Sequence, residues 1–200
     1  MTTDQLPPAP SGADLLDTFR HRLTAAHLAT RDTSQPAWQA ATALVLAPGP
    51  DDVEVAIIER AQRDSDRWSG HLALPGGRRE AADADLAVTA ARETQEEVGL
   101  ELGRPIAQLA RHRARVRPGV VACYAFALPH PVAMTPAARE VATAWWVPLG
   151  ALSDPANLTS VRHRGVRFPA IDVQGRALWG LTLHLLERFG EVIGVPLATR

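Results

Sequence analysis

Short apolar runs and amphipathic segments divide the chain into predicted strands and helices. Runs of aliphatic residues bounded by Gly, Pro or Asp are typical of strands, whereas apolar positions three or four residues apart are typical of helices. These patterns predict strands at 40–47, 53–59, 120–128 and 142–149, a strand or hairpin at 166–173, and helices at 13–28, 83–98 and 177–189. The last helix is predicted to carry Leu178, Leu181, Leu185 and Leu186 on one face. Because strands and helices alternate irregularly, we expect an α+β fold or an α/β/α sandwich.

Length and composition are those of a single globular domain. The chain has 200 residues, of which 46% are apolar and 22% are charged, and its formal net charge is −1. We expect one domain at 13–190, a disordered Pro-rich tail at 1–12 and a C-terminal tail at 191–200. Without a signal segment, a membrane-length apolar run or strong charge, the protein is expected to be soluble and cytoplasmic, with no nucleic-acid or membrane partner. The only cysteine, Cys123, lies in an apolar run and is expected to be buried.

The predicted helix at 83–98 ends with three glutamates, Glu93, Glu96 and Glu97, and Gly99 is well placed as its left-handed C-cap. One interpretation is the solvated face of an amphipathic helix. Against it, Glu93 and Glu97 are like-charged neighbours at the negative end of the helix dipole, which costs about a few tenths of a kcal/mol. On a helical wheel the glutamates lie opposite a face of small residues suited to packing on a sheet, namely Ala87, Ala91, Thr94 and Val98.

A divalent cation among the three carboxylates would explain their grouping. Oxygen ligands suit Mg²⁺ or Mn²⁺, and the seven histidines show no pair at metal-ligand spacing. The preceding Gly76-Gly77 permits a tight turn and lets the backbone approach a ligand or the acidic helix. The pattern therefore indicates a magnesium or manganese site.

The stretch from Pro75 to Leu100 carries a longer motif. Its end, "RETQEEVGL" at 92–100, resembles the second half of the Nudix hydrolase signature, which is Gly, five residues, Glu, seven residues, then Arg-Glu-x-x-Glu-Glu-x-Gly and an aliphatic residue. The first half departs, because Asp83 holds the acidic position counted from Gly77 and Arg92 arrives one residue late. That extra residue, with "WVPL" and "ALWGLT" near the C-terminus, resembles the coenzyme A pyrophosphatase branch. The resemblance covers roughly 40–189 and implies a Nudix-type α/β/α sandwich with a mixed central sheet.

The resemblance also implies hydrolysis of a nucleoside diphosphate derivative by attack of water on phosphorus. Metal would neutralise the pyrophosphate and activate the water. Arg92 would orient a glutamate through a bidentate bond rather than touch substrate. The implied metal ligands are Glu93, Glu96, Glu97 and the backbone carbonyl of Gly77, and the implied catalytic residues are Arg92, Glu96, Glu97 and Glu140.

Three further acids could belong to this site. Relatives often take an acid from a loop before a late strand, and Glu140, five residues before Trp145, is the candidate for an extra ligand or a general base. Its alternative is a surface glutamate in a polar loop. Glu80 and Asp83 are weaker candidates, since acids at a helix start can simply favour the helix dipole.

Substrate contacts are expected before the glycines and on a predicted strand: Arg60, Arg67, Trp68, His71, Arg113 and Arg115. The stretch 60–77 shares the spacing from Gly70 to "LPGG" with the coenzyme A branch, but Leu74 replaces a Phe and the segment is one residue longer between Arg60 and Gly70. Trp68 and His71 could stack on a base, or Trp68 could only cap the core.

The segment "RHRARVR" places four arginines at alternate positions, so that a strand would present them on one face: Arg111, Arg113, Arg115 and Arg117. They could bind nucleotide phosphates, including the 3′-phosphate of coenzyme A, or form a solvated strand face.

Four functions are open at this point. The first is hydrolysis of coenzyme A or an acyl derivative to 4′-phosphopantetheine and 3′,5′-ADP, and the second is the same chemistry on ADP-ribose, a dinucleoside polyphosphate or a nucleoside triphosphate. A third is a non-catalytic nucleotide sensor, and a fourth is a purely structural domain. Homodimers are common among the relatives that the chain resembles.

Overall fold

The computed structural model describes residues 9–26, 38–63, 68–114 and 119–199. Its helices are α1 (Gly12–Ala25), α2 (Leu86–Val98), α3 (Leu149–Ser153) and α4 (Gly180–Ile193), with a 3-10 turn at Pro155–Asn157. Its strands are β1 (Trp38–Pro48), β2 (Val53–Arg60), β3 (Leu72–Ala73), β4 (Gly76–Arg78), β5 (Ala107–Ala114), β6 (Gly119–Ala127), β7 (Val141–Pro148), β8 (Leu158–His163), β9 (Val166–Val173) and β10 (Arg176–Trp179). None of these helices combines the length and the apolarity needed to cross a bilayer.

A mixed sheet forms the centre of the molecule. Its strands run in the order β3-β2-β1-β6-β5, while β4 pairs with β1 and β7 pairs with β2. β1 and β6 are parallel, and the other pairs of this sheet are antiparallel. The predicted mixed central sheet is therefore confirmed.

Helices cover both faces of the sheet. Because side chains alternate along a strand, β1 sends Leu44 and Leu46 toward α1 and α4, and sends Ala43 and Val45 toward α2. β1 is consequently buried on both faces, as expected for the middle layer of an α/β/α sandwich. Cys123 on β6 is fully buried on the α1 and α4 side, which confirms its prediction as a small core residue.

A smaller antiparallel sheet, β10-β9-β8, packs at the side of the main sheet. Its tight turns use left-handed backbone at Arg164-Gly165 and at Gln174-Gly175. The segment at 166–173 is the middle strand of this sheet and takes part in two hairpins, so the prediction of a strand or hairpin is confirmed.

The prediction of the last helix is wrong at its start. Residues 177–179 belong to β10, since the turn at Gln174-Gly175 folds them back onto β9 and buries Leu178 in the core. Helix α4 begins only at Gly180, and Leu181 is 40% exposed rather than part of the apolar face.

The ends of the predicted domain also differ from expectation. Helix α1 begins at Gly12 behind a capping box of Ser11 and Asp14, whereas residues 1–8 and 27–28 lie outside the described residues. The C-terminal segment does not form a tail from residue 191, because α4 continues to Ile193 and Leu197 is buried against the core. An apolar "IGVPLA" segment has more to gain from burial than from exposure.

Candidate active site

Helix α2 presents the glutamates to the short strand β4. The helix begins behind Asp85, whose carboxylate accepts from the N–H groups of Ala87 and Val88, and it ends at Gly99 with φ of 74°. The prediction of Gly99 as a left-handed cap is confirmed. The prediction of which face of α2 packs on the sheet is only partly right. Thr94 and Val98 are buried as predicted, but Ala87 and Ala91 are only half-buried. Glu97, which was expected on the opposite side of the helix, is buried as well.

Glu97 is a buried carboxylate held by backbone. Its side chain is 2% exposed, and the N–H of Gly76 donates to Glu97 Oε2 at 2.8 Å. The pKa of Glu97 is raised to about 7, mainly by burial and also by the charges of Glu93 and Glu140, against the opposing effects of Gly76 and Arg60. The side chain therefore rests near the middle of its titration at neutral pH.

Glu93 lies directly on Gly77. A Cβ at position 77 would come within 2.3 Å of Glu93 Oε2, so that only glycine leaves room for this carboxylate. Gly76 has φ of 149°, and a Cβ there would meet the carbonyl of Ala41 at 2.3 Å. Partial burial raises the pKa of Glu93, and Glu96 and Glu140 add to this effect, while Arg92 opposes it. Gly77 therefore leaves room for the carboxylate of Glu93, while Gly76 lets β4 lie close to β1 and donates its N–H to Glu97.

Arg92 is the cation that organises the acidic end of α2. The expectation that its bidentate partner is a glutamate is wrong: the guanidinium binds Asp83 through Nε (3.0 Å) and Nη2 (3.1 Å). Single bonds then reach Glu93 at 3.0 Å and Glu96 at 2.9 Å, and a further bond reaches the carbonyl of Arg78. Arg92 is therefore anchored by Asp83 and from there orients Glu93 and Glu96.

Asp83 is that anchor. It is 4% exposed, and besides Arg92 it accepts from the backbone N–H of Glu80 and the hydroxyl of Thr89. The hydrogen bonds from Arg92 hold the pKa of Asp83 at about 2, so the carboxylate stays ionised. With its oxygens occupied by these donors, Asp83 supports the site rather than ligating metal. The carboxylate of Glu80 is exposed, and only its backbone takes part.

Glu140 lies in the turn before β7, close enough to α2 for its charge to raise the pKa values of both Glu93 and Glu97. The chain connection is direct: Ala137 N–H donates to the carbonyl of Glu97 at 2.9 Å, and Glu140 N–H donates to the carbonyl of Ala137 at 2.7 Å. The side chain of Glu140 is 54% exposed and could reach a ligand above the helix.

The donor set fits a hard divalent cation. Within 9–26, 38–63, 68–114 and 119–199, no three acidic, histidine or cysteine side chains already converge as a metal centre. Each glutamate is instead held by a protein donor: Glu97 by Gly76, and Glu93 and Glu96 by Arg92. Yet Glu93, Glu97 and Glu140 repel one another in a partly desolvated space, and a bound cation would relieve that repulsion.

The arginines that could contact substrate divide into three groups. Arg60, at the end of β2, lowers the pKa of Glu97 and so lies beside the acidic cluster. Arg113 is exposed on β5, on the same strand face as Arg111. Arg67, Arg115 and Arg117 lie outside the described residues.

Trp68 and His71 form the edge of an aromatic cluster. Their ring centroids are 5.5 Å apart, and His71 contacts Trp179 of β10 at 5.2 Å. His163 and Phe168, from the small sheet, pack on the same tryptophan. Trp68 is 42% exposed, so its ring remains open to a ligand. The sequence did not indicate Trp179 as part of this cluster, because residues 177–189 were predicted to be helical, whereas Trp179 lies at the end of strand β10.

Arg63 was also missed from the sequence. Its guanidinium holds the turn that carries Glu140. Arg63 lies within the stretch 60–77 that resembles the coenzyme A branch, but its contact with the turn at Arg139 and Glu140 joins segments far apart in the chain and leaves no local signal.

Comparison with known proteins gives a consistent result. A family model described as the NUDIX domain matches residues 38–167. An uncharacterized protein of Schizosaccharomyces pombe is 32% identical over 142 residues, which cover 66% of this chain but only 42% of that protein. The chain thus spans less than half the length of this curated relative.

Solved structures show the same fold. A MutT/nudix family protein from Enterococcus faecalis superimposes with a TM-score of 0.54 and 17% identity, covering 93% of this chain and 68% of the other. Shewanella oneidensis NrtR superimposes with a TM-score of 0.51 and 21% identity, covering 76% of this chain and 61% of the other.

Proposed function

Because the chain belongs to the Nudix family, we propose that it hydrolyses the pyrophosphate bond of a nucleoside diphosphate derivative with the help of Mg²⁺ or Mn²⁺. The observation that carries the proposal is the acidic cluster itself: Glu97 is buried with a pKa of about 7, beside Glu93 and Glu140, and is held by the N–H of Gly76. A buried carboxylate that repels its neighbours lowers stability, so its presence is best explained by a ligand that requires it.

The metal would be held by Glu93, Glu96 and Glu97 together with the carbonyl of Gly77. When bound, such a cation supplies charge neutralisation at the pyrophosphate and a more acidic water. Arg92, anchored on Asp83, keeps Glu93 and Glu96 oriented, which supports an arrangement that needs little rearrangement when substrate binds.

Glu140 is proposed to accept the proton of the attacking water. Its carboxylate is exposed, faces Glu93 and Glu97, and comes from a separate turn, so that it does not share the hydrogen bonds that hold α2. The alternative of a surface glutamate predicts that Glu140→Gln leaves kcat unchanged.

The substrate we favour is coenzyme A or an acyl-CoA, cleaved to 4′-phosphopantetheine and 3′,5′-ADP. Arg60 would contact phosphate beside the acidic cluster, Trp68 and His71 would hold the base, and Arg113 with Arg115 would bind the 3′-phosphate. ADP-ribose, dinucleoside polyphosphates and nucleoside triphosphates are the alternatives within the same chemistry. The protein is expected to act in the cytoplasm on this small molecule.

The test is hydrolysis of coenzyme A, ADP-ribose, diadenosine polyphosphates and nucleoside triphosphates with Mg²⁺ or Mn²⁺, with products identified by mass. We expect release of 4′-phosphopantetheine and 3′,5′-ADP, and loss of this activity in Glu97→Gln. Glu101→Gln is a matched control, because Glu101 is an exposed glutamate just beyond the helix. Cleavage of another compound would contradict the coenzyme A assignment. Full activity of Glu97→Gln would contradict the metal site, and metal-independent binding without turnover would favour a nucleotide sensor.

A further inference from the structure

The loop that follows β2 is attached to the turn that carries Glu140. Ala61 N–H donates to the carbonyl of Glu140 at 2.9 Å. Two residues further on, Arg63 Nε donates to the carbonyl of Arg139 at 2.8 Å, and Arg63 Nη2 donates to the same oxygen. The two carbonyls that flank the Cα of Glu140 are therefore both held by this one loop.

Arg63 is itself fixed in place. Its backbone N–H donates to Ser69 Oγ at 2.8 Å, and the hydroxyl of Ser69 donates back to the carbonyl of Arg63 at 2.8 Å. A guanidinium on an anchored backbone loses less freedom when it forms its bonds than one on a loose segment. Arg63 is thus bound at both its backbone, by Ser69, and its guanidinium, by the carbonyl of Arg139.

The carboxylate of Glu140 remains available despite these bonds. Arg63 Nη2 and Glu140 Oε1 form an ion pair at 3.6 Å, a separation beyond a good hydrogen bond, and the carboxylate stays 54% exposed. On its other side the turn is tied to α2, through Ala137 and the carbonyl of Glu97. The backbone of Glu140 is consequently held between the metal-binding helix and Arg63, while its side chain is left to act.

We infer that Arg63 is a positioning residue for Glu140 and acts on the reaction only through it. The inference rests on the proposed function, in which Glu140 accepts a proton from water. An error of about 1 Å in the position of a catalytic group can reduce the rate by as much as about 100-fold. Loss of the Arg63 fork would allow displacements of this size, because the carbonyl of Arg139 would lose both bonds that Arg63 donates to it.

The decisive experiment is a double-mutant cycle on kcat and KM with the hydrolysed substrate and saturating Mg²⁺, using Arg63→Ala, Glu140→Gln and the double variant. We expect Arg63→Ala to lower kcat about 10-fold with KM nearly unchanged, and Glu140→Gln to lower kcat further. The kcat of the double variant should equal that of Glu140→Gln, since glutamine at position 140 cannot accept the proton and its displacement has no further effect on the rate. Arg63→Lys should recover part of the rate, because one of the two donors returns.

Arg139→Ala is the matched control. It removes an exposed cation next to Glu140 but keeps the backbone carbonyl that Arg63 binds, so its kcat should equal that of the wild type. Circular dichroism and thermal unfolding of each variant establish that the fold is retained.

Several results would overturn the inference. Multiplicative losses in the double variant would mean that Arg63 acts independently of Glu140, and a raised KM at constant kcat would mean that it binds substrate. Equal losses of kcat in Arg139→Ala and Arg63→Ala would mean that removal of a surface charge, and not of the Arg63 hydrogen bonds, lowers the rate. Hydrolysis that is unaffected by Glu140→Gln would remove the role of Glu140 and leave the metal chemistry standing. Absence of hydrolysis by the wild type would remove the proposed function and this inference together.

Discussion

Glu97→Gln should make the metal-free protein more stable and at the same time inactive. The folded state holds the proton of Glu97 more tightly than the unfolded chain, because its pKa rises from 4.5 to about 7. The free energy of unfolding of the wild type should therefore fall as the pH rises between these two values, because in this range the unfolded chain releases the proton while the folded state keeps it. Glutamine carries no charge, can still accept from Gly76, and avoids this loss.

The size of the effect follows from the same shift. A pKa raised from 4.5 to about 7 corresponds to at most about 3 kcal/mol of unfolding free energy above pH 7. For a chain of this length, that is a rise in Tm of about 6 to 12 °C. Below pH 5 the wild type is protonated at Glu97, so the two proteins should unfold alike.

The assay is urea unfolding followed by tryptophan fluorescence at pH 5, 6, 7 and 8 in the presence of a chelator. Glu101→Gln serves as the control and should follow the wild-type curve throughout. Addition of Mg²⁺ at pH 8 should reduce the difference in unfolding free energy between Glu97→Gln and the wild type, because the metal stabilises the wild type more than the variant. Parallel stability curves for wild type and Glu97→Gln would refute the argument that burial of an ionised Glu97 costs stability.

Two further predictions concern the surroundings of Glu97, and a third concerns an arginine of β5. Gly77→Ala should fold but lower kcat, since the new Cβ must displace Glu93, whereas Gly103→Ala, with open space around it, should be silent in the same assay. Asp83→Asn should lower kcat by releasing Arg92, and should reduce the free energy of unfolding by on the order of 1–2 kcal/mol at pH 7. Because the pKa of Asp83 is depressed to about 2, the difference in unfolding free energy between wild type and Asp83→Asn should disappear as the pH falls from 3.8 toward 2. Arg113→Ala should raise KM for coenzyme A more than KM for its 3′-dephospho form. Equal effects on both substrates would mean that Arg113 does not bind the 3′-phosphate and belongs to a solvated strand face.

Local signals made helix α2 and its glutamates predictable. An Asp cap at position 85, helix-favouring alanines and a glycine at position 99 all act within a few residues, so that their effects are visible along the chain. The central strands were predictable for a similar reason, because an apolar run such as 120–128 is stable only when both of its faces are covered.

What the sequence left open depends on contacts between distant segments. Glu97 turns inward because β4 places the N–H of Gly76 beside the helix, and a helical wheel contains no such neighbour. The start of α4 was misplaced because helical spacing of leucines continues through 177–179, whereas pairing with β9 decides their conformation. Arg63 reaches a carbonyl 76 residues away, and no local pattern specifies that contact.

The arrangement of charge around α2 separates the residues that hold the site from those that titrate in it. Asp83 and Arg92 neutralise each other, and this pairing keeps the pKa of Asp83 near 2 and raises that of Arg92. Glu97 accepts its hydrogen bond from the backbone N–H of Gly76, and although the charge of Arg60 lowers its pKa, burial raises that pKa to about 7. An additional arginine against Glu97 would stabilise its carboxylate but would compete with any divalent cation for the same oxygens. A site without that additional arginine would leave the oxygens of Glu97 open to the proposed cation, and would do so at a cost in the stability of the metal-free protein.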